Sequence, residues 1–275
     1  MNIRVSVANR LGGYDYPMST FYFATAAKSA VGLVRAGNED SAMTSRSLVA
    51  VADGMGGHAA GEVASRIAIT TLAKESELFT KVGIDRDSAD DLYASTLSII
   101  DSTISEYAIE NPLLAGMGTT LSALFLRDGA VAALHIGDSR IYRLRGNAFE
   151  QLSIDHTVIQ ELLDQGSITE AEVATHPQRS VLTQVLMGDG RNQPLLSIYE
   201  VKADDRFIVC SDGLNSALTD KEIKAIAKGK ARGLAVDALI DAAYINGAPD
   251  NVTVIVADVL NNNINEPITL LGAAK

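Results

Sequence analysis

The chain has no tryptophan, one cysteine, six prolines and four histidines in 275 residues. A single thiol closes no disulfide within the chain and supplies no cysteine-based zinc site. Cys210 ends the apolar run Arg206-Phe207-Ile208-Val209-Cys210 and reads as an inert core thiol. Cationic excess is also missing. Thirty-four Asp and Glu stand against 23 Lys and Arg, a formal net charge of −11, which argues against nucleic acid or an anionic membrane as the main partner. No basic segment followed by an apolar core opens the chain. The longest weakly polar stretch, Phe21 to Val34, contains Lys28 and Ser29 and is too short to span a bilayer. The expectation is a cytoplasmic, monomeric protein with no membrane span. Its 47% hydrophobic and 21% charged content supplies an ordinary globular core.

What the chain does have is a run from Val49 to Asp53 that reads as a buried strand, then the Gly-rich turns Gly54-Met55-Gly56-Gly57-His58. Val63, Ile67, Ala68, Thr71 and Leu72 follow at helical spacing, so a helix is expected over about Ala59 to Lys74. A carboxylate between a strand and a Gly-rich turn is an ordinary junction, or the start of a metal or phosphate site. The rest of the chain decides between them.

Before this run, Phe21–Ala26 and Ala30–Val34 are expected as a strand pair, and residues 1–16 carry no assignable element. A second helix is expected from about Arg86 to Glu110, ended by Asn111-Pro112. Leu121–Leu126, Val131–Ile136 and Ile141–Leu144 read as strands, with Arg127-Asp128-Gly129 as a hairpin turn. Asp155 is expected to cap a short helix through Leu163, and a capping box at Ser167/Glu170 or Thr169/Glu172 to open another. The stretch Thr175–Asn192 is loop-like. Strands are expected at Leu195–Val201, Arg206–Cys210 and Val252–Val259, and helices at about Thr219–Lys228 and Arg232–Tyr244. The layout is one α+β domain over residues 1–260, mainly antiparallel, with a weakly ordered tail over 261–275.

Asp53, Asp138 and Asp212 each lie just past the C-terminal end of an apolar strand, and Asp250 lies just before the N-terminal end of one. In antiparallel sheets those ends share an edge, so the four can converge. Singly, each is a turn residue; the repetition makes a cluster. Such a cluster repels itself unless cations occupy it, and oxygen-only donors suit Mg(II) or Mn(II). Two such ions about 4 Å apart activate water and clamp a phosphoryl group. Arg35 has the fork for phosphate oxygens, or forms a surface ion pair with Glu39 or Asp40.

Taken in order, Arg35-Ala36-Gly37-Asn38-Glu39-Asp40, Asp53-Gly54-Met55-Gly56-Gly57-His58, Gly118-Thr119-Thr120, Gly137-Asp138-Ser139-Arg140, Ser211-Asp212-Gly213-Leu214 and Asp250-Asn251 resemble the metal-dependent protein phosphatases, the PPM or type 2C family, in its bacterial serine/threonine branch. The resemblance covers about Ala27 to Val259. It implies a central antiparallel β-sandwich flanked by helix pairs on both sides, four layers in the order αββα. It implies that Asp53 bridges two Mn(II) or Mg(II) ions with the Gly54 carbonyl on one of them, and that Asp212 and Asp250 hold the second. Glu39 and Asp40 would act through coordinated water, Arg35 would hold the substrate phosphate, and Asp138 with Asp212 would form a third, weaker metal site. Asn251 would shape the Asp250 loop, Thr119 and Thr120 would support the site, and about 155–192 would be the flap beside it.

The implied reaction is direct attack of metal-bound water on phosphoserine or phosphothreonine in proteins, opposing bacterial Ser/Thr kinases, with those kinases and their substrates as partners. One departure stands out. Animal relatives carry a histidine two residues after the bridging aspartate, where this chain has Met55. His58 is assigned a structural role at the helix start, and His156 a place near a helix cap. Two other readings are a catalytically dead binding module, disfavoured by the intact Asp53, Asp212 and Asp250, and a specialised phosphatase releasing a regulatory phosphoprotein. Relatives of the latter kind usually carry sensor domains.

Overall fold

The computed structural model describes residues 21–56, 60–79, 86–127, 129–173, 175–192, 196–262 and 264–275. The readings made for residues 1–16 and for His58 lie outside them, as does Asp128 in the expected hairpin turn. Strands β1 (Tyr22–Ala30), β2 (Asp40–Thr44) and β3 (Leu48–Met55) lead to helices α1 (Ala60–Phe79) and α2 (Arg86–Glu110). After a short helical turn come β4 (Gly118–Thr119), β5 (Leu121–Arg127), β6 (Ala130–Ile136), β7 (Arg140–Arg145) and β8 (Ala148–Gln151). Helices α3 (Val158–Asp164) and α4 (Glu170–Val173) precede β9 (Ser197–Glu200) and β10 (Arg206–Cys210). Helices α5 (Asp212–Asn215), α6 (Asp220–Ala227) and α7 (Arg232–Ile245), then β11 (Val252–Leu260) and β12 (Thr269–Gly272), complete the order.

All the strand pairings are antiparallel. One sheet runs β1-β11-β10-β7-β8 and the other β12-β2-β3-β5-β6-β9, with β4 attached to β3. The apolar runs are continuous because both faces of the central strands are covered. On β3, Leu48, Ala50 and Ala52 face the core shared with α1 and α2, while Val49 and Val51 face the opposite sheet. On β11, Val252, Val254 and Val256 face α5–α7, and Ile255, Ala257 and Val259 face the intersheet core. Three hydrophobic layers therefore separate four layers of structure, the expected αββα sandwich. Among the described residues no helix is long and apolar enough to cross a membrane.

Three local expectations need correction, and one open alternative is decided. The strand pair over Phe21–Val34 is one strand, β1, paired with β11 from Tyr22↔Leu260 to Ala30↔Val252. Lys28 and Ser29 do not break it, because Lys28 Nζ reaches Asp237 at 2.8 Å and Ser29 Oγ meets Thr253 Oγ1 at 2.7 Å. Asp155 does not cap α3; Thr157 does, its side chain accepting from Gln160 N at 3.1 Å. Of the two candidate capping boxes before α4, Thr169 and Glu172 make the contact, Thr169 N donating to Glu172 Oε2 at 2.8 Å. The segment read as a weakly ordered tail contains β12, which pairs with β2 along the edge of its sheet.

Candidate active site

The register of two strands does most of the work. β2 and β3 pair so that Asp40 stands directly opposite Asp53. Like charges opposite each other across an antiparallel pair destabilise it. Asp40 is fully buried, and Ser211 Oγ donates to its Oδ2 at 2.7 Å while Oδ1 is buried without a protein partner. Burial, then the charges of Asp212 and Asp250, raises the Asp40 pKa to about 7 against the pull of Thr253 and Ser211.

Asp53 sits at the lip of the same site, half-buried, with its carboxyl pushed well above the carboxylate range by burial and by Asp40, Asp212, Asp138 and Asp250. Its backbone is held from both sides. Asp53 N donates to Thr120 Oγ1 at 2.9 Å, Thr120 N donates to Asp53 O at 2.9 Å, and Thr119 Oγ1 donates to the same oxygen at 3.0 Å. Thr119 and Thr120 thus support the site. Gly54 follows in a place no side chain fits: a Cβ there would lie 2.0 Å from the Gly61 carbonyl oxygen and 2.7 Å from that of Glu39. Gly61 is its missed counterpart, bringing the start of α1 against the Gly54 backbone.

The other sheet brings Asp212 and Asp250. Asp212 opens α5 directly after β10; burial and Asp250 raise its pKa to about 6, and a hydrogen bond with Asp53 acts the other way. One Asp212 oxygen, Oδ1, is also buried without a protein partner. Asn251 fastens the two loops that frame this side. Its Oδ1 accepts from Glu39 N at 2.8 Å, and its Nδ2 donates to the carbonyls of Val31 at 2.7 Å and Gly37 at 2.8 Å. Gly32, at φ +82°, packs where a Cβ would meet the Asp250 carbonyl oxygen at 2.1 Å. The clamped loop carries Arg35, whose Nη2 donates to Asp250 Oδ2 at 2.6 Å. The ion-pair alternatives with Glu39 and Asp40 give way to Asp250, although Glu39 and Asp53 also act on the Arg35 charge. The Glu39 carboxyl is raised by burial, with Arg35 lowering it and Asp250 and Glu62 raising it.

Asp138 lies beyond β6 with its pKa raised to about 7 by burial, Asp212 and Asp155. The Arg140 guanidinium is already committed: Nε donates to both Asp155 oxygens at 3.0 Å and Nη2 to Oδ2 at 2.7 Å. This pair is why Asp155 is unavailable as a helix cap. His156 Nδ1 accepts from Gly137 N at 3.1 Å, and its ring stacks on His135 at 5.0 Å. From Asp138 and Asp212 a cleft of ≈ 470 Å³ runs past Asn215 to Arg140 and Arg179. The segment beside it is anchored at its return by Leu186, which exchanges backbone hydrogen bonds with Thr119, and by Asp101 of α2, which accepts from Gly188 N at 2.8 Å and Gly190 N at 2.7 Å. Asp101, Ser211 and Ser139, whose Oγ meets Thr120 Oγ1 at 2.8 Å, are the other residues whose roles the sequence does not assign. Only an aspartate on the inward side of a helix hinted at the first.

Arg35, Glu39, Asp40, Asp53, Gly54, Asp138, Asp212 and Asp250 thus come together from both sheets. Among the described residues, no group of three or more acidic, His or Cys side chains is placed to hold a metal ion as it stands. The chemistry still fits hard cations. The donors are all oxygens, two buried carboxylate oxygens have no other partner, and burial together with mutual repulsion raises the carboxyl pKa values, so that bound cations would displace protons.

The protein phosphatase 2C model matches residues 38–236. The chain is 40% identical over 252 residues to the serine/threonine protein phosphatase PstP of Mycobacterium tuberculosis, covering 90% of this chain and 47% of that protein. It therefore spans about half the length of that relative. To the serine/threonine phosphatase of Listeria monocytogenes it is 32% identical, covering 82% of this chain and 92% of that one. A crystal structure of the PstP catalytic domain with two manganese ions superposes with a TM-score of 0.80 at 38% identity, covering 88% of this chain and all of that one. By motif order, sheet architecture and these likenesses, the chain belongs to the protein phosphatase 2C family.

Proposed function

We propose that the chain hydrolyses phosphoserine and phosphothreonine in proteins, using two Mn(II) or Mg(II) ions and at most a third, and that it opposes Ser/Thr kinases in the cytoplasm as a monomer. Its substrates are then phosphoproteins, the kinases themselves included, and its domain carries residues 155–192 as a flap. The observation that carries the reading is the buried Asp40 opposed across two strands by the half-buried Asp53 and joined by Asp212, Asp250 and Asp138, a set of carboxylates whose ionisation is disfavoured by burial and by one another and would be favoured by bound cations.

In this reading Asp53, the Gly54 carbonyl, Asp212 and Asp250 would hold the two ions, with Asp53 serving both. Glu39 and Asp40 orient the water around them, and Asp138 joins Asp212 at the weaker position. When bound, the ions activate water and neutralise phosphoryl oxygens. Arg35 reaches the site from an exposed loop and already donates to one carboxylate oxygen, the geometry a phosphate oxygen would meet. Asp155 and Arg140 hold the base of the flap against the cleft.

The test is phosphate release from phosphoserine and phosphothreonine peptides. Release that needs Mn(II) or Mg(II) and stops with chelator is expected; no release at saturating Mn(II) from any phosphopeptide would leave only a binding module. Arg35→Lys is expected to lower kcat/KM for phosphopeptides by about tenfold, mostly through KM, because an ammonium replaces the planar fork at a ground-state phosphate contact. An unchanged KM would confine Arg35 to pairing with Asp250.

A further inference from the structure

We propose that residues 264–275 form a strap that positions Asp40 and thereby sets the affinity of the carboxylate cluster for divalent cations. The inference rests on the phosphatase reading of that cluster. The strap lies beyond residues 38–236, which the family model matches.

Asp40 is gripped at nearly every polar atom. Its N donates to Asn38 Oδ1 at 3.2 Å, Ser211 holds Oδ2, and its carbonyl oxygen accepts from Ala273 N at 2.8 Å. The last of these comes from the strap. β12 runs beside β2 from Thr269↔Thr44 to Gly272↔Ser41, so the next residue, Ala273, meets Asp40 at the strand end that carries the site. Gly272 sits at φ +65°, where a Cβ would lie 2.1 Å from the Asp40 carbonyl oxygen and 3.1 Å from Ser29 Oγ. A glycine is required there on both counts.

The strap is fixed at both ends. Ala274 is buried in the core under α1, Leu270 packs against that core, and Leu271 packs against the intersheet core. At the other end Glu266 reaches β1, an edge strand of the opposite sheet. Its Oε1 accepts from Thr25 N at 3.2 Å and its Oε2 from Thr25 Oγ1 at 3.4 Å. One segment therefore ties together the edges of two sheets that supply different carboxylates to the same site.

The physical need is clear from the charges. Asp40 opposite Asp53 pushes the ends of β2 and β3 apart, and without β12 the outer side of β2 would be a bare sheet edge. Ala273 and Gly272 hold the Asp40 backbone from that side, and Oδ1 is its one carboxylate oxygen buried without a protein partner. Groups that orient a ligand without touching the ion typically change affinity by about 10–100-fold when removed. Gly272, Ala273 and Glu266 are positioning residues in this sense.

The experiment uses the full chain as Gly272→Val, Glu266→Ala and Glu266→Gln. Mn(II) is titrated calorimetrically without substrate, and hydrogen exchange is followed over 40–44 and 269–273. Gly272→Val is expected to speed exchange in both segments and to weaken Mn(II) binding about tenfold or more. Its KM for an aryl phosphate at saturating Mn(II) should stay within about twofold of wild type, since no strap residue meets the substrate. Glu266→Ala should shift Mn(II) binding in the same direction by less, and Glu266→Gln, which keeps an acceptor for Thr25 N, should lie nearer wild type. Mn(II) isotherms like wild type in Glu266→Ala and Gly272→Val overturn the proposal. If Gly272→Val does not fold, an unchanged isotherm in Glu266→Ala is sufficient to overturn it. A wild-type chain that binds no Mn(II) is a different result and sinks the phosphatase reading itself.

Discussion

The Asp53→Asn protein is expected to lose catalysis by about a thousandfold or more and, when metal-free at neutral pH, to melt above wild type. The two effects have one origin. Asp53 faces Asp40 across β2 and β3 and feels Asp212, Asp138 and Asp250 besides. An amide is neutral without taking up a proton and can donate a hydrogen bond to Asp212, so folding no longer pits this carboxyl against burial and its neighbours. Its backbone anchors to Thr119 and Thr120 do not involve the side chain, so the strand end remains in place. Relief of repulsion is expected to contribute on the order of 1 kcal/mol, a few degrees in a chain of this size. The neutral amide cannot bridge two cations as a carboxylate does. Losing several kcal/mol of transition-state stabilisation corresponds to about three powers of ten in rate. Phosphopeptide turnover and melting in chelator measure both. A variant that is inactive and also less stable without metal would show that Asp53 stabilises the fold and that its charge is not strained.

The parts of the site legible in the sequence were those written locally. Asp53, Asp138 and Asp212 follow apolar runs and Asp250 precedes one, so antiparallel pairing was enough to bring them to a shared edge. The parts that were not legible depend on partners far along the chain. Asp40 and Asp53 face each other because of one hairpin's register, and a shift by one residue would send Asp40 to the other face. Lys28 and Ser29 looked like a break in β1 because their partners, Asp237 and Thr253, are more than two hundred residues away. Asp155 looked like a helix cap because nothing local shows that Arg140 takes its carboxylate. The stretch from Asn261 to Pro267 looked like the start of a loose tail, and that composition says nothing of Gly272 and Ala273 docking on Asp40. The charged groups are conspicuous in the sequence, and so are the tethers Thr119, Thr120 and Asn251 that stand within the motifs; Gly61, Asp101, Gly272 and Ala273 become meaningful only once their distant neighbours are known.

Metal-free protein is expected to lose stability as pH rises from 5 to 7.5, and Mn(II) is expected to reverse that slope. Burial and mutual repulsion raise the folded-state pKa of Asp40 and Asp138 to about 7 and of Asp212 to about 6, and also hold Asp53 well above the usual carboxylate range, against about 3.8 in an unfolded chain. Between those limits the folded state binds more protons than the unfolded state, so stability falls with rising pH. The contribution is fully present below about pH 4 and is lost as pH passes through 6 to 7. Two imidazoles act in the opposite sense. His135 is lowered to about 4 by burial and by the stacked His156, and His156 is lowered by burial, so both add stability as pH rises toward 6.5. Above that pH their effect is complete and only the carboxylates titrate. With one pKa unit equal to about 1.4 kcal/mol, the fall in the metal-free melting point from pH 5 to 7.5 should be roughly 5–10 °C. Cations bind the deprotonated cluster, so their stabilisation grows as pH rises and their binding releases protons. Melting in chelator and in Mn(II) across this range tests the slope, and calorimetry in buffers of different ionisation enthalpy tests the proton release. The imidazole contribution is common to both melting series and cancels in their difference. A gap between the two series that does not widen with pH would mean that the four aspartates are ionised in the folded, metal-free chain, and that the site tolerates their repulsion unaided.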